Sequence, residues 1–469
     1  MAPRARTTRS SSPRAGEARR AARRAEVRTE QRVAFALAMI DAVAVKGYRE
    51  TTVADVVARA GLSRKTFYEH FSNKEECFLS TYDQISTRVI RRMDLAHKRA
   101  NGWSSRVEAA IRALFEAAIE NPGAARLILL EINALGPGGI ERRERSADHY
   151  ERFMRDALER TPGKGSLSDP VVKAVAGGLQ RILCRRILRG ERAKLLTLIP
   201  DLVTWTTSYY PTPANIMAEP FGRRHADHGG RHVLEGGRAP GTLAPHPSLT
   251  GRRGLPSGDQ NVSRSFVVHS QRERILDAVT NLTAAHGYID LKVEGIAEQA
   301  AVSLKAFYEH FADKEDAFLV AYEIGHAKAL ASTERAYTAA GDWKLGVRAG
   351  LAALFDFLAA EPAFAHIALV DALVATELTA ERSNIGVDAL ARMLVPGQEE
   401  APGQTPLAPV TIEAIAGGIF ELCLHYAFQD RISELPELTP SATYIALAPF
   451  IGGKEAARVA LRLERRSRR

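Results

Sequence analysis

With 469 residues, 45% of them apolar and 25% charged, the chain is long enough for about three domains and too apolar to stay unfolded. No stretch of eighteen apolar residues marks a membrane span, and no apolar segment follows the arginine-rich start as a secretory signal requires. Three widely separated cysteines, Cys77, Cys184 and Cys423, offer neither a disulfide framework nor paired metal ligands, so a soluble protein of a reducing cytoplasm is expected.

In chain order, residues 1–29 read as a basic, disordered arm. The net charge of +9 is unevenly placed: residues 1–30 carry +6, residues 211–265 carry +3 and residues 454–469 carry +5, which leaves the remainder mildly acidic. Bulk charge alone therefore does not establish a nucleic-acid partner.

Residues 30–82 begin a unit that returns 240 positions later. Phe67-Tyr68-Glu69-His70-Phe71 recurs as Phe307-Tyr308-Glu309-His310-Phe311, and 20 of the 52 positions in residues 31–82 are identical to their partners. The register persists through Trp103/Trp343, Pro122/Pro362 and Gly177-Gly178/Gly417-Gly418, so an entire unit is duplicated rather than a short motif.

Apolar residues at Phe35, Ala38, Met39 and Ala42, matched by Ile275, Ala278, Val279 and Leu282, have the spacing of one buried helix face. Strand signals are absent, and Pro122, Pro170, Pro362 and Pro409 suit first helical turns. The predicted fold is all-α. Each copy is expected to hold a small helical domain (30–82, then 266–322) and a larger one (83–210, then 323–453). A flexible linker (211–265) separates them and a basic tail (454–469) closes the chain. The linker would average roughly 40 Å end to end as a random coil, enough to let the copies pack side by side. Its histidines His225, His228 and His232 lack the scaffold of a metal site, and no cofactor or metal is expected.

Val53, Val56, Val57 and Ala60 make a short helix face, Gly61 supplies a turn, and Ser63 suits the N-cap of a helix that buries Phe67 and Phe71. Arg64, Lys65, Thr66, Tyr68 and His70 are left facing outward. Such a row is what a major-groove reader needs, although a solvated helix corner meets the same description.

The whole run, from Gly47-Tyr48 through Thr52-Val53 and Ala60-Gly61-Leu62-Ser63 to Thr66–Phe71 and Asn73-Lys74-Glu75-Glu76, resembles the N-terminal domain of the TetR family of transcriptional repressors. The resemblance implies that Ser63–Phe71 is a recognition helix whose Arg64, Lys65 and Thr66 read base edges, while Thr52, Tyr68, His70 and Lys74 hold phosphates. In the second copy the corresponding DNA-facing residues are Lys292, Ser303, Lys305, Tyr308, His310 and Lys314. There Leu304 and Ala306 replace Arg64 and Thr66, and Ala301 replaces the turn glycine, so the second reader is expected to be weaker or differently tuned.

The resemblance further implies dimerisation through the late helices and a small-molecule pocket in each larger domain. Phe115, Phe153, Phe355 and Met393 are the candidate lining residues, for a small hydrophobic or aromatic effector. The seam would join Pro170–Arg189 and Leu195–Tyr209 to Pro409–Asp430 and Leu438–Phe450. It would form within one chain as a pseudo-dimer or between two chains as a homodimer. A cytoplasmic, nucleoid-associated repressor is expected, with double-stranded DNA as its partner and no enzymatic activity or membrane. The alternative is a nonspecific or architectural DNA binder without an effector.

Overall fold

A computed structural model describes residues 13–159, 167–209, 264–372, 377–400 and 406–462. Among these residues the fold is all-α, with helices joined by short turns and no strand. Pro122, Pro170, Pro362 and Pro409 all stand in the first turn of a helix, where the missing N–H costs no hydrogen bond. Two expectations are corrected at the ends. Residues 13–29 are not an unstructured arm but the start of the helical run Pro13–Glu50. Residues 454–460 are not a tail but part of the helix Gly453–Ala460, which buries Ala456, Ala457, Val459 and Ala460. The expected linker lies, up to residue 263, outside the described residues, and the helix Arg264–Asp290 begins at its end.

The chain divides into two compact units, residues 1–87 with 121–131, and residues 88–120 with 132–469. In the first unit Phe35, Met39, Val43, Val56, Phe67, Phe71 and Phe78 form the core. Phe35 meets Phe67 edge-on at 5.4 Å and Phe71 at 5.9 Å, so the first helix and the Arg64–His70 helix are locked through aromatic rings.

The second unit repeats that small domain around Ile275, Val279, Ile296, Phe307, Phe311 and Phe318. It also contains the seam. The helices Asp169–Leu188 and Pro409–Phe428 cross so closely that a side-chain carbon at Gly178 would overlap the Ala414 carbonyl oxygen, and one at Gly418 the Ala174 carbonyl oxygen. These two contacts are the same contact shifted by 240 residues, the signature of a pseudo-two-fold axis. Trp205, Tyr209 and Tyr444 fill the space beside it. Trp205 Nε1 donates to the Tyr209 hydroxyl (2.7 Å), and Tyr209 and Tyr444 donate to the carbonyls of Ile445 and Tyr209 (3.1 and 3.0 Å). The Pro409–Phe428 helix is long and apolar enough to cross a bilayer by length and composition, and most of it is buried inside the protein.

Most of the seam is sorted by charge, with Glu144 of the first copy against His425 of the second as a pair of the opposite sense. The first copy contributes Arg143, Arg185 and Arg186, which bind Glu421 (2.7 Å), Asp388 (2.7 Å) and Glu413 (2.8 Å) of the second. Arg181 donates to Asn384 (3.0 Å) and stacks over Phe420. At equivalent positions, Lys173 and Arg181 of the first copy become Glu413 and Glu421 of the second.

Candidate nucleic-acid interface

The Val53–Ala60 helix starts at a capping box. Thr52 Oγ1 accepts the Asp55 N–H (3.2 Å), and Asp55 accepts the Thr52 N–H (2.9 Å) and hydroxyl (2.7 Å). Lys46 donates to Asp55 at 2.6 Å, and these bonds, Lys46 first and then Thr52, hold the carboxyl well below the usual carboxylate range. Gly61 closes the helix at φ 64°, a left-handed conformation that glycine adopts without steric cost. Ser63 then caps Arg64–His70 by accepting the Thr66 N–H (3.0 Å), and its hydroxyl meets that of Thr66 at 2.9 Å.

Phe67 points into the core, which leaves Ser63, Arg64, Lys65, Tyr68 and Glu69 exposed, with Thr66 half-buried. Two expected phosphate ligands turn inward. His70 is not outward: it is buried, its Nε2 donates to Gln31 Oε1 (2.8 Å), and its ring rests against Phe35 and Phe71. Burial, with repulsion from Arg28 and Arg32, lowers its pKa, so the ring is a neutral strut between two helices. Lys74 lies over the Tyr48 ring (4.2 Å) and donates to the carbonyls of Tyr48 (2.9 Å) and Arg49 (3.4 Å), so its ammonium is engaged within the fold.

That junction is a device the sequence reading missed. The Pro13–Glu50 run breaks at Gly47 (φ 74°), and the freed Tyr48 N–H donates to Glu131 Oε2 (2.8 Å), which Arg126 holds at 3.0 Å. The second copy repeats it with Gly287 (φ 78°), Tyr288 N–H donating to Asp371 Oδ1 (3.0 Å), and His366 in place of the arginine (2.8 Å). Lys314 again collects carbonyls, those of Tyr288, Ile289 and Leu291. The signal was present in the 240-residue register, where Arg126/His366 and Glu131/Asp371 keep a base and an acid five residues apart.

In the second recognition helix Ser303 caps Ala306 (3.1 Å), and Lys305 and Tyr308 are exposed, whereas His310 is only half-exposed. Leu304 presents an apolar side chain where Arg64 stands in the first copy, and Lys292 occupies the N-cap position without capping. Ala301 takes φ 51°, a conformation costly for any residue with a Cβ.

A cavity of about 90 Å³ lies in the second larger domain, bounded by Tyr322, His326, Phe364, Leu390, Met393 and Cys423 among others. Of the four candidate lining residues, Met393 borders this cavity. Phe355 is instead a fully buried core residue outside the cavity lining, and Phe364 lines the space. Phe115 is likewise core, and Phe153 packs half-buried against His97. His326 stacks on Tyr322, and burial, with the charge of Arg392, lowers its pKa, keeping the wall neutral. Among the described residues no three His, Cys, Asp or Glu side chains gather as metal ligands.

The family model for bacterial regulatory proteins of the tetR family matches the chain twice, at residues 41–81 and 275–321. A helix-turn-helix-type transcriptional regulator of Haemophilus influenzae is 25% identical over 164 residues, which cover 34% of this chain and 78% of that protein. Among solved structures, the fatty acid degradation regulator FadR of Bacillus halodurans (16% identity, TM-score 0.35) covers 37% of this chain and 96% of its own. FadR of Bacillus subtilis in complex with stearoyl-CoA (17% identity, TM-score 0.34) covers 38% and 97%. Each copy thus holds a serine-capped helix within a segment that matches the tetR family model, so the chain is similar to tetR-family regulatory proteins at two places in tandem.

Proposed function

We propose that the chain binds an operator in double-stranded DNA sequence-specifically and represses transcription until a small apolar effector releases it. The observation that carries this reading is the exposed row Ser63, Arg64, Lys65 and Tyr68 on a helix anchored through Phe67. Arg64 and Lys65 read base edges with Thr66 beside them, and Thr52, Ser63 and Tyr68 contact the backbone. In the second copy Lys305 and Tyr308, with Lys292 and Ser303, hold phosphates, while Leu304 offers no bidentate hydrogen bond. The bound site is therefore asymmetric, one half well defined and the other lax.

One chain supplies both halves. A seam between two first copies would set Lys173 against Arg185 and Arg186, and Arg181 against Arg143, whereas one between two second copies would put Tyr426 and Ser383 in place of Arg186 and Arg143 and leave Glu413 and Glu421 without those guanidinium partners. Unlike pairing avoids that repulsion and keeps those ion pairs, and the linker makes it intramolecular.

The effector site is the cavity around Met393. Its size is below the roughly 300–1,000 Å³ of ordinary ligand pockets, so an occupant must be thin or small, or must widen it. Phe364, Ala368 and Leu369 line the cavity, while Ile367 and Ala372, from the same turn, pack into the second small domain. Between them Ile367–Asp371 is a π-helical turn, a rare form that is frequent at functional sites. Widening the cavity displaces this turn and with it the Asp371–Tyr288 bond, shifting one of the two DNA-binding domains.

Selection of bound duplexes from random DNA, followed by footprinting, tests the reading. An asymmetric site is expected, together with a mass near 51 kDa for the purified, DNA-free protein by light scattering. A perfect palindrome bound by one chain, twice that mass at every dilution, or equal affinity for all duplexes would overturn it.

A further inference from the structure

The helical run Pro13–Glu50 begins 22 residues before its first core residue, Phe35, and residues 20–30 are exposed on every side. Buried packing does not explain this extension, since helices in proteins owe most of their stability to a packed face. Its composition of alanine, arginine and glutamate makes it helical by propensity alone.

What it presents is charge. Arg19–Arg32 holds six arginines and two glutamates. Arg20, Arg24, Arg28 and Arg32 follow one another at four-residue spacing and so share one ridge. Glu26 and Glu30 fall two residues from their neighbouring arginines, on the opposite side. The ridge runs toward the recognition helix: Arg32 lies over the ring of Phe71 at 5.1 Å and donates to Ser80 (2.9 Å). Arg28 and Arg32 are close enough to act on His70, the last residue of that helix. From Arg32 back to Arg20 the ridge is about 18 Å long, the length of about five base steps. In the second copy the corresponding residues are Gln260, Arg264, Val268 and Arg272, so the ridge belongs to the copy that retains Arg64 and Thr66.

We infer that this ridge is a second DNA-contacting element, laid along the phosphate backbone beside the half-site read by Arg64, Lys65 and Thr66. It rests on the reading of the chain as an operator-binding protein. Backbone contacts carry no base information, so the ridge adds affinity, salt dependence and length of contact without changing sequence preference. It also favours the first half-site over the second, in the same direction as the two readers.

The experiment compares the full-length chain with R20Q/R24Q/R28Q and R20K/R24K/R28K, using the duplex that the unaltered chain selects and a random duplex of equal length. For the glutamine variant the slope of log affinity against log salt is expected to fall in magnitude by about 2–3, which cuts the loss of affinity between about 50 and 200 mM salt by about 40-fold. Affinity falls alike on both duplexes, the selected sequence is unchanged, and the footprint shortens on one side only by about five base pairs. The lysine variant restores slope and footprint. An unchanged slope and footprint in the glutamine variant, or a lysine variant as defective as the glutamine one, would overturn the inference. Full DNA affinity together with lost binding to anionic phosphatidylserine vesicles would also overturn it, assigning the ridge to a membrane. Failure of the unaltered chain to select any duplex sinks the operator reading itself, a result separable from any of these.

Discussion

Phe67 and Phe307 are both fully buried, each behind a serine N-cap and each three residues before an inward-turning or half-turned histidine. Three residues before them the copies part: Arg64 and Thr66 in the first become Leu304 and Ala306 in the second. The same division runs through the turn, where Gly61 at φ 64° faces Ala301 at φ 51°, and through the junction, where Arg126–Glu131 faces His366–Asp371. Packing tolerates little change where rings interlock, while a residue in solvent is free to lose a contact that only DNA supplies. Two domains with the same capped-helix geometry thus present different outer surfaces.

The largest effect should be the one that treats the copies alike. Phe67→Ala and Phe307→Ala should each cost about 3–5 kcal/mol of their own domain's stability, because each removes a ring from a closed aromatic cluster. Denaturant unfolding followed by near-ultraviolet circular dichroism measures this. A loss below about 1 kcal/mol in either would mean the two cores are not equivalent.

The next experiment should separate them. Arg64→Ala should weaken binding by about 1–3 kcal/mol and relax preference at one or two base pairs, whereas Leu304→Ala should leave the preferred sequence as it was. Titration of single-base-pair variants of the selected duplex decides the matter. Equal relaxation by both substitutions would break the comparison.

A smaller pair of opposite sign concerns the turn. Gly61→Ala should cost about 1 kcal/mol, and Ala301→Gly should gain about 0.5–1 kcal/mol, since the left-handed backbone strains any residue with a Cβ. Thermal melts of the two single variants should move in opposite directions.

The finest difference is one of pH. Burial alone disfavours a charged His366, but the hydrogen bond and charge of Asp371, with Asp430 behind them, outweigh it and raise its pKa above the ordinary 6.5. A group whose folded pKa is raised stabilises the fold fully below its unfolded value and loses that contribution as pH rises through the folded one. The second junction should therefore loosen on the alkaline side of 6.5, whereas the first junction has Arg126 at the position of His366. Hydrogen exchange at the Tyr288 and Tyr48 amides, corrected for intrinsic rates, measures both. His366→Arg should abolish the difference.

Much of this architecture is written in local pattern. The 240-residue register announces two copies, and the serine caps with their phenylalanine pairs place both recognition helices, because capping and one-turn spacing act within a few residues. The paired glycines that recur in this register stand at a close helix crossing, Gly178 against Ala414 and Gly418 against Ala174. Other features depend on residues far apart in the chain. His70 turns inward because Gln31, 39 positions earlier, meets its imidazole, and Lys74 because the broken end of the first helix leaves carbonyls beside it. Phe355 joins the core and Phe364 the cavity, although both lie on apolar helix faces, since only the neighbouring helices decide which side is filled. The charge sorting of the seam needed the fold as well: composition counts arginines and glutamates, and only the packing of the Pro137–Glu159 and Asp169–Leu188 helices on Pro409–Phe428 sets Arg143 against Glu421 and Arg186 against Glu413. Local periodicity determines which elements form and which face they bury. Pairing across hundreds of residues, where hydrogen bonds and charges find partners by tertiary contact alone, determines what each exposed or buried polar group does.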